Sequence, residues 1–361
     1  MNKFFNENIV INILKYLVAV IVVMVVGATI IKLQGGDPGM AFIALMEGSV
    51  GDMDAIAQTI RWATPCIITG VAAVIAFRSG IWNVGIEGQM YFGAFIAAIV
   101  GYEFMMPRAL HIFVTLGAAG IMGMLFGLIP AILKMYLNVN ELISTLMLNY
   151  VAVLFTEFMT FKYMGFDASE LADAIATPDV QPTARLRSII PGTSASSAIF
   201  MALIIAILVH LLYKYTVKGY ELKQVGENLR FAKFGGVNTK VTFLMIFLMS
   251  GFIAGFCGGT EVLGPLGRFR SSFAMNLGWD GVMIASIAKN SPIGVIFISI
   301  IWGALKSGSF AMERMTTTNR LVITVLQALF VLLVAIDYES IYSKIKENYK
   351  LKKLRSQGKG A

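Results

Sequence analysis

The chain has 361 residues, 57% of them hydrophobic and 14% charged, and its mean hydropathy is +0.75. That balance excludes a soluble globular domain and points to an integral membrane protein. The formal charge of +8 does not signal a nucleic-acid partner, because the basic residues sort by loop and form no aromatic-studded face.

The first apolar run, Ile9 to Ile31, follows Lys3 and lacks a small-residue cleavage site, so it reads as a retained span. A polar, acidic loop with Asp37, Glu47, Asp52 and Asp54 comes next. A second run covers about Ala57 to Phe77, and the sequence RSGIWNVGIEGQ from Arg78 then interrupts the pattern. Further runs extend from Met90 to near Gly101, Leu110 to Leu137 and Leu142 to Phe161. The segment Lys162 to Ser197, with Pro178, Pro182 and Pro191, is expected to be an exposed loop. Runs at Ala198–Val217 and Val241–Leu263 flank the polar stretch Lys218 to Lys240. A glycine-rich break at Arg268–Gly281, a short run to Ala288, a run to about Phe310 and a last one at Leu321–Ile336 complete the chain. A helix needs roughly 20 residues to cross a hydrocarbon core, so the reading is an all-α polytopic membrane protein of about ten helices, two of them short.

Placing the N-terminus inside puts Lys134, Lys214, Lys289 and the basic residues of Lys218–Lys240 at the cytoplasmic side, together with the tail from Lys344 to Lys359. Both termini are then cytoplasmic, and the basic tail 344–361 lies near anionic lipid.

The stretch Lys218–Lys240 is too polar to enter a bilayer. Leu222, Val225, Leu229 and Ala232 recur at helical spacing among charges, so it reads as an amphipathic helix. Gly226 should break it. Asn228 supplies a start signal for the second piece, and Gly235 with Gly236 a stop.

The two interruptions resemble each other. FRSGIWNVGIEG (77–88) and FRSSFAMNLGWDG (269–281) share FRS, then Asn, apolar, Gly, apolar, acid, Gly, with one inserted residue. Each follows a long span, and those spans run in opposite directions in the topology above, which makes the halves 1–197 and 198–343 inverted repeats with broken helices. Such breaks mark a transport pathway near the midplane. Asn83, Glu87, Gln89, Asn276 and Asp280 are the candidates there, with two roles open to the acids: meeting solute, or capping their own helix starts. Asn140, Glu141, Ser144, Thr145 and Asn149 form a polar stripe that faces protein or water; Asn149 fits either solute contact or a helix-to-helix hydrogen bond. Gly123, Gly127, Gly251, Gly255 and Gly259 read as packing seams.

Catalytic patterns are missing. There is no GxxxxGK[ST] loop, no HExxH around His111 or His210 and no GxSxG elbow. Cys66 and Cys257 lie in apolar runs without CxxC spacing. No cofactor or metal is expected.

Three segments carry a family resemblance: GIWNVGIEGQMYFGAF (80–95), NELISTLMLNYVA (140–152) and GYELKQVGENLRFAKFGGV (219–237). Together they resemble the permease subunits of ATP-binding-cassette importers of the ribose, branched-chain amino acid and nucleoside type, most similar to the nucleoside permeases. The resemblance implies no enzymatic activity in this chain and a coupling helix, within 219–237, that sits in a cleft of a separate ATPase subunit. Glu227, Asn228, Arg230, Phe231, Ala232, Lys233 and Gly235 take that role. It also implies a second, non-identical permease, an extracellular substrate-binding lipoprotein and a place in a bacterial-type inner membrane. Arg185 and Arg187 in the long loop offer charge for docking that lipoprotein, unless the loop is an ordered cap with its arginines in solvent. An ion-coupled secondary transporter is the competing class, suggested by Glu87 and Asp280. Ribose-like sugars and branched-chain amino acids are alternative solutes.

Overall fold

The computed structural model describes residues 18–19, 21–163, 176–274, 276–316 and 318–335. The basic tail and residues 164–175 of the long loop lie outside them.

Among the described residues each of the ten apolar runs contains a helix. These helices are α1 (Ile21–Leu33), α3 (Met53–Arg78), α4 (Ile86–Glu103), α5 (Arg108–Leu137), α6 (Glu141–Tyr163), α7 (Ala198–Tyr215), α10 (Thr239–Glu261), α11 (Leu277–Ile287), α12 (Pro292–Met315) and α13 (Leu321–Ala335). Among the described residues, six helices are long and apolar enough to cross a membrane: α3, α5, α6, α7, α10 and α12. The chain divides into two compact units, one made of Met40–Thr316 and one of the described residues on either side of it. In the latter, α1 presents Gly27 to the side chain of Leu326 on α13, where a methyl group would lie 2.7 Å from Leu326 Cδ1.

Within Met40–Thr316, α3 is central: 83% of its most apolar window is buried, against 28% for α6 and for α7. It packs against α7, α10, α11 and α12, while α10 also packs against α4 and α5. Three contacts fix the direction of the α3–α10 pair. Arg61 pairs with Glu261, Cys257 Sγ reaches Pro65 O, and Ser250 Oγ donates to Ala72 O. Numbers rise along one helix as they fall along the other, so the helices leading into the two related motifs run antiparallel.

Glycines set the seams between α10 and its neighbours. A methyl group on Gly123 would lie 2.6 Å from Gly255 Cα, and one on Gly251 2.6 Å from Gly123 O. The backbones touch where side chains would otherwise stand, which is how helices gain contact when lipid supplies no hydrophobic drive.

The structure corrects three expectations. The acidic loop contains helix α2 (Pro38–Val50), begun by a proline in its first turn and by Asp37, whose Oδ1 accepts from Gly39 N at 2.8 Å. Gly226 does not break the amphipathic stretch. Helix α8 (Val217–Glu227) runs through it, and the break falls at Asn228 before α9 (Leu229–Phe234). Gly226 is there for close approach, because a methyl group on it would lie 2.7 Å from Ser79 C. The described part of the long loop, 176–197, is packed rather than loosely exposed. Thr177 N donates to Phe269 O, Val180 N to Gly267 O, Leu186 N to Leu263 O and Gln181 N to Gly101 O, at 2.8–3.0 Å. Val180, Ala184 and Leu186 are buried beneath it.

Gly255→Ala is expected to cost about 1–3 kcal/mol by overpacking, seen as a lower melting temperature of the detergent-solubilised protein. Gly117→Ala, on α5 with nothing within 4 Å of the added methyl, should melt at or above the parent. Equal effects of the two would remove the seam from the account.

Candidate functional site

Each motif stops one helix and starts another within the bundle, and the start leaves backbone amides without a partner in the preceding turn. For α4 the deficit is met by two side chains of α6 and one of the turn before it. Asn149 of α6 accepts from Gly88 N (2.8 Å) and donates to Val84 O (2.9 Å). Thr145 Oγ1 accepts from Val84 N (3.3 Å), and Asn83 Oδ1 accepts from Gly85 N (3.1 Å). Asn83 Nδ2 donates in turn to Gln89 Oε1 (3.1 Å) and to Ser250 Oγ (2.9 Å) of α10, and Gln89 Nε2 returns a bond to Asn83 Oδ1 (3.3 Å). Three of the candidate pathway residues, Asn83, Gln89 and Asn149, are thus brought together as one buried network. Of the expected α6 stripe, Ser144, Thr145 and Asn149 are buried and face protein, whereas Asn140 is exposed and Glu141, half-buried, pairs with Lys134 at the helix start; Thr156 and Thr160 extend the buried polar face.

The two broken helices meet at their starts. A methyl group on Gly278 would lie 2.6 Å from the Glu87 amide nitrogen, and the backbone amide of Trp279 faces the Glu87 carboxylate. Glu87 therefore stands at the start of α11 as well as in the first turn of its own helix, α4. Its Oε2 is buried without a hydrogen-bond partner. Asp280, also buried, forms an ion pair with Lys306 of α12. Asn276 adopts a left-handed conformation (φ 64°) at the start of α11, makes no side-chain cap and is exposed. Sequence reading places Asn276 with the others; the structure does not. The second motif is held from α6 instead, where Glu157 accepts from Ser271 Oγ.

Sequence reasoning missed three charged residues of this region: Arg61, Glu261 and Lys306. Arg61 Nη2 and Glu261 Oε2 are 2.8 Å apart, with side chains 9% and 3% exposed. The Arg61 guanidinium lies 4.1 Å and the Lys306 ammonium 5.0 Å from the Trp62 ring centroid, both within cation–π range. A signal existed, since ionisable residues inside apolar helices mark pathways or paired sites by default. Among the described residues no group of three His, Cys, Asp or Glu could hold a metal ion.

At the far end of α3, the coupling candidates form a compact surface. Asn228 Oδ1 accepts from Phe231 N (3.0 Å), capping α9, and Gly235 closes it through a bond to Phe231 O (2.9 Å). Ala232 is buried, with Leu222 and Val225 of α8, whereas Leu229 departs from the expected stripe and is exposed. Glu227, Arg230, Phe231 and Lys233 are exposed beside it, and Phe234 is 92% exposed. At the opposite end, Arg185 binds Asp179 (2.9 Å) and its carbonyl accepts from Arg108, while Arg187 is exposed.

Removing one member of a buried ion pair strands the other, at a cost of about 3–5 kcal/mol. Arg61→Met and Glu261→Leu should each lower the yield of folded protein and its melting temperature, and the double variant should recover most of both. Additive losses in a double-mutant cycle would show that the pair is not coupled.

A family model described as branched-chain amino acid transport system / permease component matches residues 55–334. The chain is 30% identical over 329 residues to a guanosine ABC transporter permease of Bacillus subtilis, covering 89% of this chain and 92% of that one. A nucleoside ABC transporter permease of Lactococcus lactis is 27% identical over 307 residues, with 82% and 84% covered. A glucose ABC transporter permease of Haloferax volcanii is 24% identical over 320 residues, with 87% and 84% covered. The competing class of ion-coupled transporter gives way to these matches, and, with six helices among the described residues long and apolar enough to span, the chain belongs to the branched-chain amino acid type permease family as the multi-pass permease subunit of an ATP-binding-cassette importer.

Proposed function

We propose that this permease moves nucleosides inward by alternating access, driven by a separate ATPase subunit that docks on α8 and α9. The observation that carries the coupling reading is the contact between Gly226 and the end of α3. Gly80, with φ +72°, would place a methyl group 3.0 Å from Gly226 Cα. A load on α9 therefore passes through backbone to Ser79 and Gly80, a few residues before Asn83 and the start of α4. The exposed side chains Leu229, Phe231 and Phe234 offer apolar anchors, and Arg230 and Lys233 offer charge, the mixture found at the centre and rim of protein interfaces.

The solute class is supported by the two nucleoside-named relatives, and a polar sugar with a flat base suits amide and hydroxyl partners between apolar walls. The glucose-named relative keeps sugars as the alternative. In this reading α8 and α9 face the cytoplasm, both termini lie there, a second permease completes the pathway, and Glu87 and Asp280 border it while Asn83, Gln89 and Asn149 brace its wall. Asn276 lies at its edge. A substrate-binding lipoprotein docks on the 176–197 loop through Arg187, with Arg185 held on Asp179.

Two tests follow. Arg230→Glu with Lys233→Glu should abolish co-purification with the ATPase and reduce ATP-driven uptake at least tenfold while leaving the folded yield of the permease unchanged; retained association and uptake would sink the coupling assignment. In cells with the native neighbouring genes, chain-dependent guanosine uptake should stop on ATP depletion and survive collapse of the proton and sodium gradients. Uptake of sugar but not guanosine would move the solute assignment.

A further inference from the structure

A cavity of about 1050 Å³ opens at the loop end of the bundle, between α2, α3, α12 and residues 192–194. Along α3 its lining runs from Asp52 to Trp62, about 15 Å at 1.5 Å per residue. Its floor is shut. Trp62 is 8% exposed, stacks on Phe310 with centroids 5.5 Å apart and planes 15° apart, and is backed by Arg61 and Lys306. Those two cations are committed to Glu261 and Asp280, so the floor is a nearly neutral layer.

The walls above it are not neutral. Among the described residues, Glu47, Asp52 and Asp54 line the cavity with one cation, Arg314, so these carboxylates outnumber it three to one, and Glu313 lies beside them. Uncharged polar groups lie among them, with Gln58 Nε2 donating to Ser194 Oγ at 3.2 Å across the α3–loop boundary. A cleft lined by one sign of charge with low-dielectric walls focuses its field and shifts the local concentration of charged solutes by an order of magnitude or more. Carboxylates also accept from paired sugar hydroxyls, whereas a phosphate group entering here would meet like charge from Glu47, Asp52 and Asp54.

We propose that this cavity is an entry vestibule for solute and that its carboxylates screen by charge, admitting uncharged nucleosides and holding back phosphorylated ones. The solute class rests on the nucleoside reading above; the charge screen does not.

Both native cysteines, Cys66 and Cys257, are fully buried, so a thiol introduced by Gln58→Cys can be read alone. In the assembled transporter in proteoliposomes, its reaction rates with a cationic and an anionic methanethiosulfonate of similar size are compared with those of glutathione. The cationic preference should exceed that of glutathione by about tenfold. Adding Glu47→Gln with Asp54→Asn should collapse it. Saturating guanosine should slow the labelling severalfold, and guanosine monophosphate at the same concentration should not. A preference equal to that of glutathione, or equal protection by the two solutes, overturns the screen. A strong cationic preference in a transporter that takes up no guanosine on ATP would overturn the nucleoside reading and leave the screen standing.

Discussion

A helix that begins inside a packed bundle has amide groups pointing at nothing, and two helices of this protein do so. Their starts determine what surrounds them. Asn149 stands on α6 because Gly88 N needs an acceptor, Asn83 and Gln89 face one another because the turn before α4 cannot be solvated, and Ser250 on α10 completes the set. The glycine seams follow from the same requirement: α10 must come close enough to α4 and α5 for Ser250 to reach Asn83. Such a network is a rigid grip on one helix start, while Glu87, with an oxygen unpartnered where α4 meets α11, marks where the grip is incomplete.

The charged residues divide by the same logic. Arg61–Glu261 and Asp280–Lys306 tie α3 to α10 and α11 to α12 within the apolar interior, where breaking either pair leaves a charge with no water to take it. Such pairs specify register more surely than they add stability. The chain also keeps its exposed charge at the two ends of α3, acidic around Asp52 and Asp54 and mainly basic around Lys223, Arg230 and Lys233, which fits a molecule whose two ends meet different partners.

Much of this could be read from residue order. Among the described residues each apolar run contains a helix, the paired motifs became the two breaks, Ser144, Thr145 and Asn149 of the α6 stripe faced protein, and Asn228 and Gly235 bounded α9 where capping chemistry placed them. What escaped reading was pairing across distance. A single arginine such as Arg61 in an apolar run looks the same whether it reaches the membrane surface or a glutamate 200 positions away. Gly226 misled for a related reason: intrinsic propensity says a glycine weakens a helix, but here the absent side chain leaves room for the end of α3 and the helix continues. Helix α2 was hidden by its acids, which gather toward its ends and suggest a loop.

The 176–197 loop is secured by main-chain hydrogen bonds to Phe269, Gly267, Leu263 and Gly101. Backbone bonds ask nothing of side-chain identity. The exposed residues of this loop can therefore change without loosening the path of the loop over the bundle. What the loop displays and how it is held become separable properties of one segment.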